Sequence, residues 1–237
     1  MKPAKELTGQ RDRRINKEKA RAAREKIAAD LAYDLGLPVP PVVLYKREED
    51  GLISSKHVSV SLVMYPRQWA WGQVKHEFSA VGSGSPTGAA VAKTLASTSK
   101  MHVFDTWIGQ TDHGYSPHNI VWGYEQGALE KSKLIFLDFA NSLGSKGGRD
   151  FSNCWGNDGW QQFTKAQFPD LMVSHYDETL IDETIEEIKN LSKDNITEVV
   201  ERIPPDFLLP KQACSIIDGL LGRREQLRST FADPSTN

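Results

Sequence analysis

Nothing in the 237 residues approaches eighteen consecutive apolar positions, so no membrane-spanning helix is expected. The chain opens on a basic, polar run instead of a charged start followed by an apolar core, which gives no sign of a secretory leader and sets the expectation of a cytoplasmic protein. Cysteine is scarce: Cys154 and Cys214 stand sixty positions apart, with no CxxC pair or Cys/His cluster, which argues against a structural zinc site or a disulfide framework. Both thiols are expected to be reduced. The small net charge of −2 hides two segments of opposite sign. Residues 1–26 hold ten Lys/Arg against four Asp/Glu, and residues 170–187 hold seven acids with no Lys or Arg. A basic run of this kind is ordinarily a solvated helix face, so nucleic acid is not the expected partner. A basic arm that does grip phosphates would betray itself by steep salt dependence.

What the chain does have is 39% hydrophobic and 25% charged residues, over a length sufficient for one large domain or two small lobes. Ile27, Leu31 and Leu35 recur every fourth position among Ala, Lys, Arg and Glu, which predicts a helix over 16–36 stopped by Gly36. The Leu37-Pro38-Val39-Pro40-Pro41 run forces an extended path into a short strand at Val42–Tyr45, and the alternation from Val58 to Met64 predicts a second strand. From Pro66 to Gly88, glycine, serine, proline and tryptophan are too frequent to suggest a regular element, and the stretch reads as a linker. The domain reading is therefore an α/β lobe over 1–66, a linker or hinge over 67–88 and a second lobe over 89–237.

A helical pattern from Ala89 through Val91, Leu95, Met101, Phe104, Trp107 and Ile108 leads directly into Gln110-Thr111-Asp112. A polar loop, a strand Asn119–Gly123, a turn near Gly127 and a strong strand Leu134–Leu137 ending at Asp138 then make a hairpin, with helices at 178–192 and 213–231 beyond. Pairing in that hairpin brings Asn119 and Asp138 together, and Asp112 is tethered seven residues before Asn119. A carboxylate beside an acceptor hydroxyl, with hard oxygen ligands for Mg²⁺, is what phosphoryl transfer needs. Any one of the three taken alone is an ordinary turn residue.

At these residues the chain resembles the HipA-like kinases, relatives of the phosphatidylinositol kinases. Phe104-Asp105-Thr106-Trp107-Ile108-Gly109-Gln110-Thr111-Asp112-His113 looks like the entry to their catalytic loop, and Leu137-Asp138-Phe139 is similar to their second metal-binding segment. Glu25 to Ala32, followed by Leu35-Gly36-Leu37-Pro38-Val39-Pro40, resembles their N-lobe helix and turn. Val200-Glu201-Arg202-Ile203-Pro204 and Leu220 to Leu227 resemble their C-terminal helices. The resemblance implies an α+β, bilobal, protein-kinase-like fold with a reduced N-lobe and a mainly helical C-lobe. It implies an ATP- and Mg²⁺-dependent transfer to a hydroxyl, of a protein Ser/Thr by analogy with toxin-like relatives, together with a protein substrate and an antitoxin-like protein partner. Carried over by position, Asp112 orients or deprotonates the acceptor, and Asn119 and Asp138 ligate Mg²⁺. Glu25 holds a phosphate-binding lysine, matched by Lys2 with Lys5 as the nearest substitute. The adenine is expected at the strand edge ending in Met64 and at Tyr65, where backbone groups and apolar cover are available. Trp69 and Trp71 either line that cleft or serve as packing.

Two departures from the family pattern stand out. The matched lysine stands at the start of the sequence, so the phosphate-covering strands that precede it in the family are expected to be missing, which keeps open a pseudokinase: a nucleotide-binding or protein-interaction module without turnover. The spacing of seven from Asp112 to Asn119 exceeds the usual five or so, and His113 replaces the arginine after the aspartate. His113 and His118 are candidates for a base or a phosphate contact, or are solvated loop histidines. Ser142, Gly144, Ser145, Gly147 and Gly148 suggest a flexible, activation-type segment.

Overall fold

A computed structural model describes residues 4–48, 55–62, 67–80, 86–125, 128–145 and 163–232. Among these residues the chain is mixed α+β, with two small antiparallel sheets and a helical distal half. Helix α1 (Ala4–Asp34) begins earlier than its apolar period suggests and buries a mostly small-residue face, Ala20, Ala23, Ile27, Ala28, Leu31 and Ala32. It stops where the sequence requires. Gly36 adopts a left-handed φ of 63°, with Leu37 N–H donating to Ala32 O at 2.9 Å and Gly36 N–H to Tyr33 O at 2.9 Å. These are the paired bonds of a glycine-terminated helix.

Strands β1 (Val42–Glu48) and β2 (Ser55–Ser61) pair in the register Val43↔Val60 and Glu48↔Ser55. The second strand starts and ends three residues earlier than its apolar alternation predicts, because the pairing partner, rather than the hydrophobic pattern, sets the length of a ladder. The hairpin packs on α1, and His57 is buried with its ring edge-on to Phe207 at 4.9 Å.

The stretch read as an irregular linker contains regular elements, which corrects that expectation. Strand β3 (Arg67–Ala70) pairs with β4 (Ile120–Glu125) through Trp69↔Trp122, and β4 pairs with β5 (Ala128–Phe136) through Ile120↔Phe136. Helix α2 (Trp71–Ala80) buries Trp71, Val74 and Phe78. Helix α3 (Pro86–Ala96) starts on a proline, whose fixed φ and missing N–H suit a first helical turn. Phe78 sits edge-on to Trp71 and to Trp122, both at 5.3 Å, so aromatics expected in a loop instead join α2 to the sheet.

Helix α4 (Thr98–Ile108) is buried along its length from Met101 to Ile108. Beyond it in the chain come α5 (Asp170–Val173), α6 (Glu178–Asn190), α7 (Lys193–Glu201) and α8 (Pro210–Ala232), of which α5, α6 and α8 pack directly on α4. Asp177 caps α6 by accepting from Thr179 N–H and Leu180 N–H, and Ser192 caps α7 by accepting from Asn195 N–H. Cys214 is a free, exposed thiol on α8, and Cys154 lies outside the described residues. Among the described residues no helix is long and apolar enough to cross a membrane.

Candidate functional site

The polar loop after α4 is placed by a helix end whose carbonyls all find donors. Gly109, at φ 66°, sends its N–H to Thr106 O at 3.3 Å, and Gln110 N–H reaches Asp105 O at 2.8 Å. The carbonyls left over at a helix C-terminus need outside donors. Arg223 of α8 supplies two, Nε to Trp107 O and Nη2 to Thr106 O, both at 2.7 Å, and Leu143 N–H takes Ile108 O at 2.7 Å. Burial brings the Arg223 pKa down to about 9, which still leaves the guanidinium charged at neutral pH, and it lies 4.3 Å from the centroid of the Phe163 ring.

The loop itself turns on Asp112, whose backbone carbonyl accepts from Tyr115 N–H at 3.1 Å and Ser116 N–H at 2.9 Å; Asn119 N–H then bonds Ser116 O at 2.8 Å. Gly114 is the point of closest approach: a Cβ there would stand 2.7 Å from the carbonyl carbon of Gln167 and 2.8 Å from its oxygen. The segment that Gly114 touches is tied down in turn. Ala166 N–H donates to Thr106 Oγ1 at 3.0 Å, and His102 Nε2 donates to Ala166 O at 2.7 Å. Tyr176 Oη bonds His102 Nδ1, so both ring nitrogens of a neutral imidazole are used, and burial holds the His102 pKa down at about 4.

Asp112 and Asn119 are brought together, with Asn119 Nδ2 donating to Asp112 Oδ2 at 3.2 Å. The same oxygen accepts from Asn141 Nδ2 at 2.9 Å, and Oδ1 accepts from Ser116 Oγ at 2.7 Å. Across the hairpin Leu137 N–H bonds Asn119 O at 2.7 Å, carrying the β4–β5 ladder one step beyond Ile120↔Phe136 and setting Asp138 next in line. Asp138 has a φ of 58°, a left-handed conformation that aspartate tolerates better than most residues and that recurs at functional positions. Gln110 Nε2 donates to the Asp138 carbonyl at 2.8 Å, while Gln110 Oε1 accepts from Thr111 N–H at 3.0 Å.

Glu25 reaches this segment from α1. Its Oε1 accepts from Ala140 N–H at 3.1 Å, and its carboxyl also hydrogen-bonds the Asp138 side chain. Burial raises the Glu25 pKa, bonds from the Phe139 and Ala140 backbone oppose the rise, and the neighbouring Asp138 carboxylate adds to it, giving about 8. At that value Glu25 holds its proton for the most part at neutral pH. The positions expected to bind nucleotide beside it, Lys2, Met64 and Tyr65, lie outside the described residues, as does the Lys5 side chain.

His113 is neither a solvated loop residue nor a base open to a substrate. Buried to 1% exposure, it places Nδ1 at 2.6 Å from Asp105 Oδ2 and Nε2 at 2.9 Å from Leu137 O. A carbonyl only accepts, so Nε2 carries a proton; the 3.5 Å approach of Gln110 Nε2 then sets two donors face to face and is no hydrogen bond. Burial by itself would lower the His113 pKa, but the Asp105 carboxylate and the bonds to Asp105 and Leu137 outweigh it and raise it. The pair thus keeps one proton more than a free histidine and aspartate do at neutral pH. His118 is exposed on the loop.

One further expectation changes, and an open alternative is decided. Ser142 is fully buried, with its N–H donating to Phe139 O at 3.0 Å and its Oγ to the same oxygen at 2.7 Å, and Ser145 N–H bonds Ser142 O at 3.1 Å. The stretch after Asp138 is therefore a hydrogen-bonded turn as far as Ser145, with Gly144 at a φ of 74°; Gly147 and Gly148 lie outside the described residues. Trp71 belongs to the core, where packing is its role, whereas Trp69 stands 48% exposed on β3. Asn141, Gln110 and Asp105 have no role assigned by the sequence pattern. An asparagine beside a Ser/Gly-rich run carries no spacing signal, and Gln110 and Asp105 acquire meaning only once the groups they bond are placed.

Among the described residues no three His, Cys, Asp or Glu side chains converge as a metal-holding group. Mg²⁺ shared with a triphosphate does not need such a cage, since it takes one or two protein oxygens and fills its octahedron with phosphate and water. The oxygens of Asn119 and Asp138 suit that hard cation. A cavity of about 660 Å³ lies elsewhere, between the end of α1 and helices α6 and α7; Asp34, Glu187 and Glu198 outnumber Arg202 in its walls, the wrong balance for phosphate. No protein-family model matches the chain, and no curated protein matches it.

Proposed function

We propose that this chain is an ATP- and Mg²⁺-dependent kinase of the HipA-like type, bilobal in the manner of protein kinases, that phosphorylates a hydroxyl, of a protein serine or threonine by analogy with the resembled family. The observation that carries the reading is the junction of Asp112, Asn119 and the Asp138 segment through Asn119 Nδ2, Asn141 Nδ2 and the Leu137–Asn119 backbone bond. A loop carboxylate and a hairpin of hard oxygen donors meeting in this order is what positioning an acceptor beside a metal-bound triphosphate requires. In the transfer step the acceptor oxygen bonds the γ-phosphorus as the bond from that phosphorus to the β–γ bridging oxygen breaks, so ADP departs with the bond's electron pair. Asp112 Oδ1 receives the acceptor's hydrogen bond, orients the hydroxyl and takes its proton. Mg²⁺, held by Asn119 and Asp138, would supply charge neutralisation on the phosphate oxygens.

The test is calorimetry of ATP with and without Mg²⁺, together with ADP release from Mg·ATP. Asp138→Asn is a better variant than alanine, because asparagine keeps the left-handed backbone that alanine strains by about 1 kcal/mol. Expected are Mg²⁺-dependent binding weakened at least about tenfold in Asp138→Asn and turnover abolished in Asp112→Ala with binding retained. Wild-type turnover in both variants would overturn the site. The second reading, a pseudokinase or interaction module, draws on Glu25, which is engaged with Asp138 and the Ala140 backbone in protonated form. Nucleotide binding without ADP release would favour it.

A further inference from the structure

We propose that Asn141 is a positioning residue of the transfer step, acting through Asp112; the inference rests on the kinase reading. A carboxylate offers about four lone-pair positions. On Asp112, Oδ2 engages Asn119 Nδ2 and Asn141 Nδ2, and Oδ1 engages Ser116 Oγ. Among the described residues one position is left, on Oδ1. The acceptor hydroxyl therefore has a single place to bond, and the two asparagines fix the plane in which it lies.

Asn141 is itself held from both sides. The preceding Ala140 N–H bonds Glu25 Oε1, the following Ser142 closes twice on Phe139 O, and Leu143 N–H is fastened to Ile108 O at the end of α4. The side chain thus joins the segment bearing Asp138 to the loop bearing Asp112 by a bond that hairpin pairing alone does not supply. Both amides present nitrogen to Asp112, which leaves the Asn119 oxygen for the expected metal. Asn141 differs in serving the carboxylate, so its loss should change the rate of transfer more than the binding of nucleotide.

The experiment uses the full chain and measures ADP release from Mg·ATP, with water as acceptor, in the wild type, Asn141→Asp and Asn141→Gln. Asn141→Asp has the same shape and loses the donor. A drop in kcat of about 10²-fold with KM for ATP within about threefold is expected, and Asn141→Gln, which keeps a donor, recovers most of the lost kcat. Unchanged kcat in Asn141→Asp, or kcat and KM lost together with a lowered Tm in both variants, overturns the proposal while leaving the kinase reading in place. The second measurement is the side-chain amide resonance of Asn141 by ¹H–¹⁵N NMR in the ligand-free chain. Asp112→Ala should move it, and an unmoved resonance overturns the bond whatever the kinetics. A wild type that neither binds Mg·ATP nor releases ADP overturns the kinase reading first and this inference with it.

Discussion

Replacing Glu25 by glutamine removes a proton-binding group that burial and Asp138 together have made unusually avid. Its pKa stands at about 8 in the fold against 4.5 for the ordinary carboxyl. The native state thus holds a proton that the unfolded chain gives up as pH rises past 4.5. Stability contributed by this proton is complete below that value, falls at about 1.4 kcal/mol per pH unit across the window, and stops falling above about 8. Integrated over the shift the loss is about 5 kcal/mol, an upper bound because the Asp138 side chain that adds to the shift is only half-buried, so water screens its effect on Glu25. Glutamine has the same shape. Its carbonyl goes on accepting from Ala140 N–H, and its amide donates to Asp138 where the proton had been. Wild type and Glu25→Gln should therefore be near equal in urea unfolding at about pH 4.5, and the variant should lead by several kcal/mol at about pH 8 to 9. The rising difference is the diagnostic, since pH effects from His102 and from the His113–Asp105 pair are common to both chains and cancel. Parallel profiles, or a variant weaker than wild type at the alkaline end, would refute the burial of a protonated Glu25 against Asp138.

Two further perturbations probe the scaffold around Asp112. Gly114→Ala drives a methyl to 2.7–2.8 Å from the Gln167 backbone and should cost about 1–3 kcal/mol in chemical denaturation; an unchanged or raised stability would mean that the loop and the segment bearing Gln167 are not in rigid contact. Arg223→Met removes the guanidinium donors from Trp107 O and Thr106 O, and should cost about 3 kcal/mol or more, with less than about 1 kcal/mol counting against the capping role.

How far the site can be read from the sequence depends on whether its parts are neighbours in the chain. The stop at Gly36, the helix running into Asp112 and the hairpin from Asn119 to Asp138 follow from local rules: a left-handed glycine, an apolar period and two strands about a turn. The ladder bond from Leu137 to Asn119 completes that hairpin as the pattern implies. Helix α2 is hidden, because Trp71, Val74 and Phe78 have helical spacing but lie among residues that ordinarily break helices. Asn141 and Gln110 are hidden for a different reason. Each has a partner 28 or 29 positions away, Asp138 O for Gln110 and Asp112 Oδ2 for Asn141, and no periodicity encodes a single side-chain bond across a fold. Glu25, 115 positions from Ala140, is legible only through the family resemblance.

Where the resembled family has an arginine, His113 looks at first like the loss of a site residue, yet its geometry has a different consequence. An arginine after the aspartate is a long cation able to leave the core. A histidine with a carboxylate on one nitrogen and a backbone carbonyl on the other is a short tie within it, neutral over the pair. The tie runs from Asp105, one turn inside α4, to Leu137, the residue before Asp138. It therefore fastens the end of α4 to the Asp138 segment, as Gln110 does through the Asp138 carbonyl. Asp105 Oδ1 has no hydrogen-bond partner among the described residues, so only one oxygen of that buried carboxylate is answered and the His113 proton must offset most of its burial cost. Removing the imidazole would strand Asp105 and release Leu137 O together. His113 accordingly belongs with the structural joints of the loop, which in the kinase reading leaves Asp112 to face the acceptor.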